Sequence, residues 1–157
     1  MVKRVTPFFV SLALAYSAAL IGSLFTAGAV ATWYTTLTKP ELSPPNWLFG
    51  PVWTVLYALM AIAAWRIYEK RRSSQKANRL LRVYGAHLVV NALWSIIFFG
   101  FHSPAPAFMI IIVLWLMIAY LAAGFYRIDR TAGILLLPYL AWVSFATYLN
   151  LSIVLLN

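Results

Sequence analysis

The chain has 157 residues, 64% of them hydrophobic and only 10% charged, with 12 Lys and Arg against 3 Asp and Glu for a formal net charge of +9. A soluble domain is about 25% charged and about 45–50% apolar, so this composition excludes an ordinary water-soluble fold and also a disordered one. The absence of cysteine removes disulfides, thiolate nucleophiles and cysteine-ligated metals.

A bilayer crossing takes about 20 mostly apolar residues, and five stretches qualify: 5–27, 46–68, 80–101, 107–126 and 132–156. They use most of the chain, so the predicted fold is an all-α integral membrane protein, a five-helix bundle in one domain over residues 1–157. A transmembrane barrel would need alternating strands of about 10 residues. Runs such as Phe108 to Ala119 are apolar on every side instead, which suits a helix touching lipid and protein at once.

The first predicted helix follows Lys3 and Arg4. Its apolar run is longer than the ~7–15 residues of a signal-peptide core, so it is read as a retained span. Ala15/Ala19/Ser23 and Ala18/Gly22 on it, like Ala119/Ala123 on the fourth, have the spacing of close helix contacts or a dimer interface. The loop from Lys39 to Trp47 carries Pro40, Pro44 and Pro45. It is predicted to be a stiff, extended lid, with Asn46 as N-cap of the second helix. Trp33, Tyr34, Trp65, Tyr68 and Tyr126 stand at helix ends, where aromatic belts form.

With five spans, 11 of the 12 basic residues fall on one side and only Lys39 on the other. Positive charge stays cytoplasmic, which predicts a cytoplasmic amino terminus and a multi-pass protein of a bacterial cell membrane. The basic run from Lys70 to Arg82 is then a topology signal beside anionic lipid headgroups; no nucleic-acid partner is expected.

Glu41, Glu69 and Asp129, the only acidic residues, lie in loops or at helix ends. A pump usually carries an intramembrane carboxylate, and none is present. His87 and His102 lack neighbours at metal-ligand spacing. No phosphate loop or nucleophile–base pair can be assembled. No resident cofactor or metal is expected, and catalytic residues remain unassigned.

The spans offer aromatic stripes instead. His87, Asn91, Trp94, Ser95 and Phe98 share one face of the third helix. Trp53, Tyr57 and Met60 do so on the second, and Trp142, Ala146 and Asn150 on the fifth, one turn beyond Pro138. Polar groups turn away from lipid, so the three stripes are predicted to face an interior aromatic cleft. Two readings stay open: a binding site, or packing with Asn91 and Asn150 as hydrogen-bonding glue.

The chain resembles the TspO/MBR family, the bacterial tryptophan-rich sensory proteins and the mitochondrial translocator protein. The matching residues are Trp33-Tyr34, Leu37, Lys39-Pro40, Pro44 to Trp47, Pro51 to Trp53 and Leu56-Tyr57. Further matches are Asn91 to Trp94, Phe98 to Gly100, Pro138 to Trp142, Phe145 to Thr147 and Leu149-Asn150. The resemblance implies a five-helix bundle, often a homodimer, with a pocket under the first loop for porphyrins such as protoporphyrin IX and haem, sterols, or isoquinoline and benzodiazepine drugs. It implies ligand contacts from Trp53, Asn91, Trp142 and Ala146, with Tyr34 and Tyr57 nearby. The helix stripes add His87, Trp94 and Asn150 to this candidate site.

Three positions depart from the family pattern. Leu42 stands where many members carry Trp, and His87 where Gln is common. No Lys or Arg follows Asn150, so the sterol-recognition pattern of the mitochondrial members is incomplete. The function implied is a membrane receptor or carrier for tetrapyrroles in porphyrin or stress regulation. Its rivals are a light-dependent protoporphyrin-degrading enzyme acting through Trp53 and Trp142, and a structural protein whose cleft is merely packed.

Overall fold

A computed structural model describes residues 2–71 and 73–157. The side chains of residues 2–5 and all of Arg72 lie outside that description, so Lys3, Arg4 and Arg72 of the basic set are not placed.

The five predicted spans all form. Helix α1 (Val2–Ala31) is followed by the one-turn α2 (Trp33–Thr36), a loop, and a 3-10 turn at Asn46–Leu48 that opens α3 (Phe49–Glu69). Helix α4 (Gln75–Ser95) runs into a π turn at Ile96–Gly100, and α5 (Pro104–Tyr126) follows. The last crossing is divided into α6 (Arg130–Leu135) and α7 (Leu137–Leu156).

Local chemistry explains where these boundaries depart from expectation. Helix α4 starts five residues before the predicted 80, because the Ser74 hydroxyl caps it by accepting from the Ala77 amide (3.3 Å). Its polar first turns, with Lys76, Asn78 and Arg79, lie beyond the apolar run that defined the prediction. The fifth span begins earlier too. Asp129 caps α6 through the Ala132 amide (3.0 Å), and the chain breaks at Leu136, two residues before Pro138. Asn46 is not an N-cap: Pro45 holds that position without a side-chain bond. The Asn46 amide instead donates to the Val30 carbonyl of α1 (3.4 Å).

The helices close into a ring. Helix α1 packs on α3 and α4, α5 packs on α4 and α7, and α3 meets α6 and α7. Close approach requires small residues at three points, most firmly at Gly133, where a Cβ would lie 2.6 Å from the Tyr126 backbone. A Cβ on Gly124 would lie 2.6 Å from Leu80, and one on Gly100 would lie 2.7 Å from the Phe25 ring.

Opposite ends of the ring are fastened differently. At one end Arg66 makes a two-pronged bond to Asp129 (3.1 and 2.9 Å), joining α3 to α6. Burial alone would raise the Asp129 carboxyl, but bonds from Arg66 and the Ala132 amide outweigh it and hold the group below its ordinary value. At the other end the Asn157 side chain brackets the loop, accepting from the Thr38 amide and donating to its carbonyl, both at 3.0 Å. Lys39 donates to the Tyr34 and Leu37 carbonyls (2.8 and 3.2 Å) and lies 4.9 Å from the Tyr34 ring centre. The loop is thereby bound down over the bundle.

That closure corrects one belt assignment. Tyr34 is only 3% exposed, turned inward against Phe49, Phe98 and Phe99. Trp33 stays half-buried at the surface, stacked 4.5 Å from His102, which turns the chain with a left-handed φ of 51°.

Candidate functional site

Beneath the loop lies a cavity of about 760 Å³, walled by α1, α3, α4 and α7. Ligand pockets run from about 300 to 1,000 Å³, and this cavity falls in that range.

Six residues of the candidate site meet there: Trp53 and Tyr57 from α3, Asn91 and Trp94 from α4, Trp142 and Ala146 from α7. Helical spacing carries each pair to one face, and the ring closure turns those faces together. Trp53 is the centre of the aromatic wall, 5.6 Å from Tyr57, 6.4 Å from Trp94 and 6.1 Å from Tyr139 between ring centres. Phe49 packs edge-on to Trp142 at 6.0 Å. The roof is the loop end, Asn46 and Trp47.

The floor is a directed chain of hydrogen bonds. The Tyr57 hydroxyl donates to Asn91 Oδ1 (2.5 Å), and the Asn91 amide donates to the Tyr139 oxygen (2.7 Å). The Tyr139 hydroxyl donates to His87 Nε2 (2.8 Å), while His87 Nδ1 faces the Tyr84 carbonyl at 3.3 Å. A carbonyl only accepts, so the network assigns the proton to Nδ1, the tautomer that leaves Nε2 to accept from Tyr139.

Three residues of the predicted site do not line the cavity. His87 is 1% exposed, one turn below Asn91, with both ring nitrogens engaged. Asn150, also 1% exposed, accepts from the Trp94 indole (3.2 Å) and donates to the Pro104 carbonyl (2.8 Å), tying α4, α7 and α5 together. Tyr34 stands behind the lining residues Phe49 and Phe99. These three support the wall rather than form it.

Sequence reasoning also left residues out. Tyr139 is fully buried and links His87 to Asn91. Its spacing of three residues from Trp142 and seven from Ala146 places it on their helix face, the signal that would have found it. Tyr16 and Phe49 line the cavity as well.

One polar atom in this wall has no partner. The Trp142 indole N–H is buried and bonds to nothing among the described residues. A buried donor left unmade costs about 1–3 kcal/mol. Among the described residues no three His, Asp or Glu side chains gather as a metal site would require.

A ring of five apolar crossings around a capped aromatic cavity defines a multi-pass integral membrane protein with the architecture of a receptor for hydrophobic molecules. Residues 9–156 match the TspO/MBR family. The chain is 37% identical over 155 residues to the tryptophan-rich protein TspO of Chlorobaculum tepidum, across 99% of this chain and 98% of that protein. It is 39% identical over 142 residues to the tryptophan-rich sensory protein of Cereibacter sphaeroides, across 88% and 87%. To the human translocator protein it is 34% identical over 131 residues, across 83% and 78%. The chain belongs to the TspO/MBR family.

Proposed function

We propose that the protein is a receptor or carrier that binds flat hydrophobic ligands, tetrapyrroles such as protoporphyrin IX or haem foremost, in the cavity beneath the loop. The observation that carries this reading is the cavity itself: about 760 Å³, walled by Trp53, Trp94 and Trp142. Aromatic faces bind a planar π-system by offset or edge-on stacking, worth about 0.5–1.5 kcal/mol per pair beyond area burial. Against the packed-cleft reading stands the convergence of three tryptophans from three helices on one cleft of ligand size.

The test is a titration of the purified protein with protoporphyrin IX, read by tryptophan fluorescence. Saturable quenching at one site per chain is expected. Quenching that never saturates, or that matches free tryptophan, would return the cleft to a packing role. A second reading, light-dependent degradation of the porphyrin, is favoured by Trp53 and Trp142 sharing one cavity. Running the titration in light and in dark separates the two, because degradation changes the porphyrin absorption spectrum only in light.

A further inference from the structure

Behind the cavity wall lies a buried tyrosine–histidine pair. Tyr139 and His87 are closed off from solvent, and the Tyr139 hydroxyl donates to His87 Nε2 at 2.8 Å. We propose that the two form a proton-coupled redox site, which returns an electron to Trp53 after a one-electron oxidant in the cavity has taken one. The inference rests on the light-dependent reading of the cavity, in which that oxidant is a photo-excited tetrapyrrole.

Proximity is the first support. Trp53 lines the cavity, and its ring meets Tyr139 edge to face with 6.1 Å between centres. Rings this close exchange an electron without an intermediary.

The second support is the base. A phenol that loses an electron becomes a strong acid, so it gives the electron up readily only where its proton has somewhere to go. Among the described residues, Tyr139 is the tyrosine whose hydroxyl meets a nitrogen base. Tyr57, the other tyrosine against Trp53 at 5.6 Å, donates to the Asn91 amide oxygen. Tyr16 donates to the Thr54 backbone carbonyl. Amide oxygens are very weak bases. The tautomer completes the arrangement: the Tyr84 carbonyl, 3.3 Å from His87 Nδ1, holds the ring proton on that side and leaves the Nε2 lone pair for Tyr139.

The electrons and protons balance. Trp53 gives one electron to the excited ligand, leaving a ligand radical anion and a tryptophan radical cation. Tyr139 then gives one electron to Trp53 as its O–H bond breaks and an Nε2–H bond forms on His87. Trp53 is neutral again, Tyr139 is a neutral phenoxyl radical, and the His87 imidazolium balances the ligand anion. A buried cation with no carboxylate bonded to it is costly. The proton therefore returns to the phenoxyl oxygen once the ligand anion gives its electron back, and the pair resets. Meanwhile the oxidising equivalent stands one ring further from the ligand, and Trp53 is spared further reaction.

The experiment is electron paramagnetic resonance of the full-length protein in detergent with protoporphyrin IX, illuminated and then frozen. A cobalt(III) ammine serves as irreversible electron acceptor and traps the hole. A parallel arm replaces the porphyrin with ruthenium tris(bipyridine), a soluble sensitiser that oxidises tryptophan without needing the cavity. The parent should give a neutral tyrosyl signal, and Tyr139→Phe should lose it and show a tryptophan radical instead. His87→Gln is decisive. Its amide oxygen still accepts from Tyr139 and its N–H still donates to the Tyr84 carbonyl, but it is no base. This variant should melt and bind porphyrin like the parent while losing most of the tyrosyl signal. An undiminished signal in folded His87→Gln would overturn the proposal, leaving the histidine a packing role. So would a signal that survives in Tyr139→Phe and disappears in Tyr57→Phe. Saturable porphyrin quenching with no tyrosyl signal in either arm would refute the redox pair and leave the binding reading intact. Quenching that never saturates, with a His87-dependent signal in the ruthenium arm, would refute the binding reading and support the pair.

Discussion

Trp142→Phe separates a ligand-binding role from a packing role at a single position. The half-buried indole shares the cavity wall with Trp53, and its N–H has no partner to lose. Phenylalanine keeps a ring against Phe49 and removes a donor whose burial without a partner costs about 1–3 kcal/mol. That relief offsets part of the packing lost with the larger ring. One kcal/mol moves the melting temperature of a chain this size by roughly 2–4 °C, so the variant should melt within about 3 °C of the parent. Binding behaves otherwise. The smaller ring gives up part of a stacking contact worth about 0.5–1.5 kcal/mol, which is a rise in dissociation constant of up to roughly 12-fold at 1.4 kcal/mol per decade. The assay is a porphyrin titration by absorbance beside a thermal melt in the same detergent. A fall of ten degrees or more with unchanged affinity would refute the reasoning and make Trp142 a packing residue.

Asn91→Leu should show the opposite balance. Its amide makes two interhelical bonds, from Tyr57 and to Tyr139, and such bonds average about 0.6 kcal/mol in membranes, so a melt should fall by roughly 2–5 °C. An unchanged melt with lost binding would show the amide serving ligand alone. Asp129 gives a pH signature. Its carboxyl is held below its ordinary value, so the ionised form favours the folded state. That contribution is present above the unfolded value of about 3.9 and is lost as pH falls through the lower folded value. Asp129→Asn, which can still cap α6, should flatten the acid limb of a stability–pH curve; an unaltered limb would assign the acid sensitivity to another group. The orientation inferred from the 11 basic residues on one side predicts that cysteines at Ser43 and Ser74 label from opposite faces of the membrane, with Ser74 cytoplasmic. Labelling from the same face would contradict it.

The spans were legible because apolar runs of this length have few other fates, and the aromatic wall was legible because helical spacing fixes which side chains share a face. What spacing withholds is depth and company. His87 and Asn91 lie on one stripe, yet Asn91 reaches the cavity and His87 stops a turn short, its ring occupied by Tyr139 and Tyr84. Tyr139 itself, beside Pro138 in an apolar run, carries no local sign that it joins two other helices. Asn46 has the composition of a cap, but a carbonyl 16 residues earlier takes its amide. Its place at a helix end marks Tyr34 as an interfacial aromatic, and nothing local shows that Lys39 folds back onto its carbonyl and draws the loop closed. The π turn at Ile96–Gly100 shifts the end of α4 without any proline to announce it. Each of these depends on a partner far along the chain or on exact helix register, which periodicity does not encode.

The central claim is that the space beneath the loop is where the ligand sits. Ala146 is a small residue in its wall, 8% exposed, and Ala146→Phe would fill part of the space without removing any aromatic or hydrogen-bonding group. Porphyrin titration of this variant against the parent is therefore the most direct measurement. The account predicts a protein that still melts cooperatively and binds at least about tenfold more weakly, a loss of about 1.4 kcal/mol. Parent-like affinity in a folded Ala146→Phe protein would place the ligand elsewhere and contradict it.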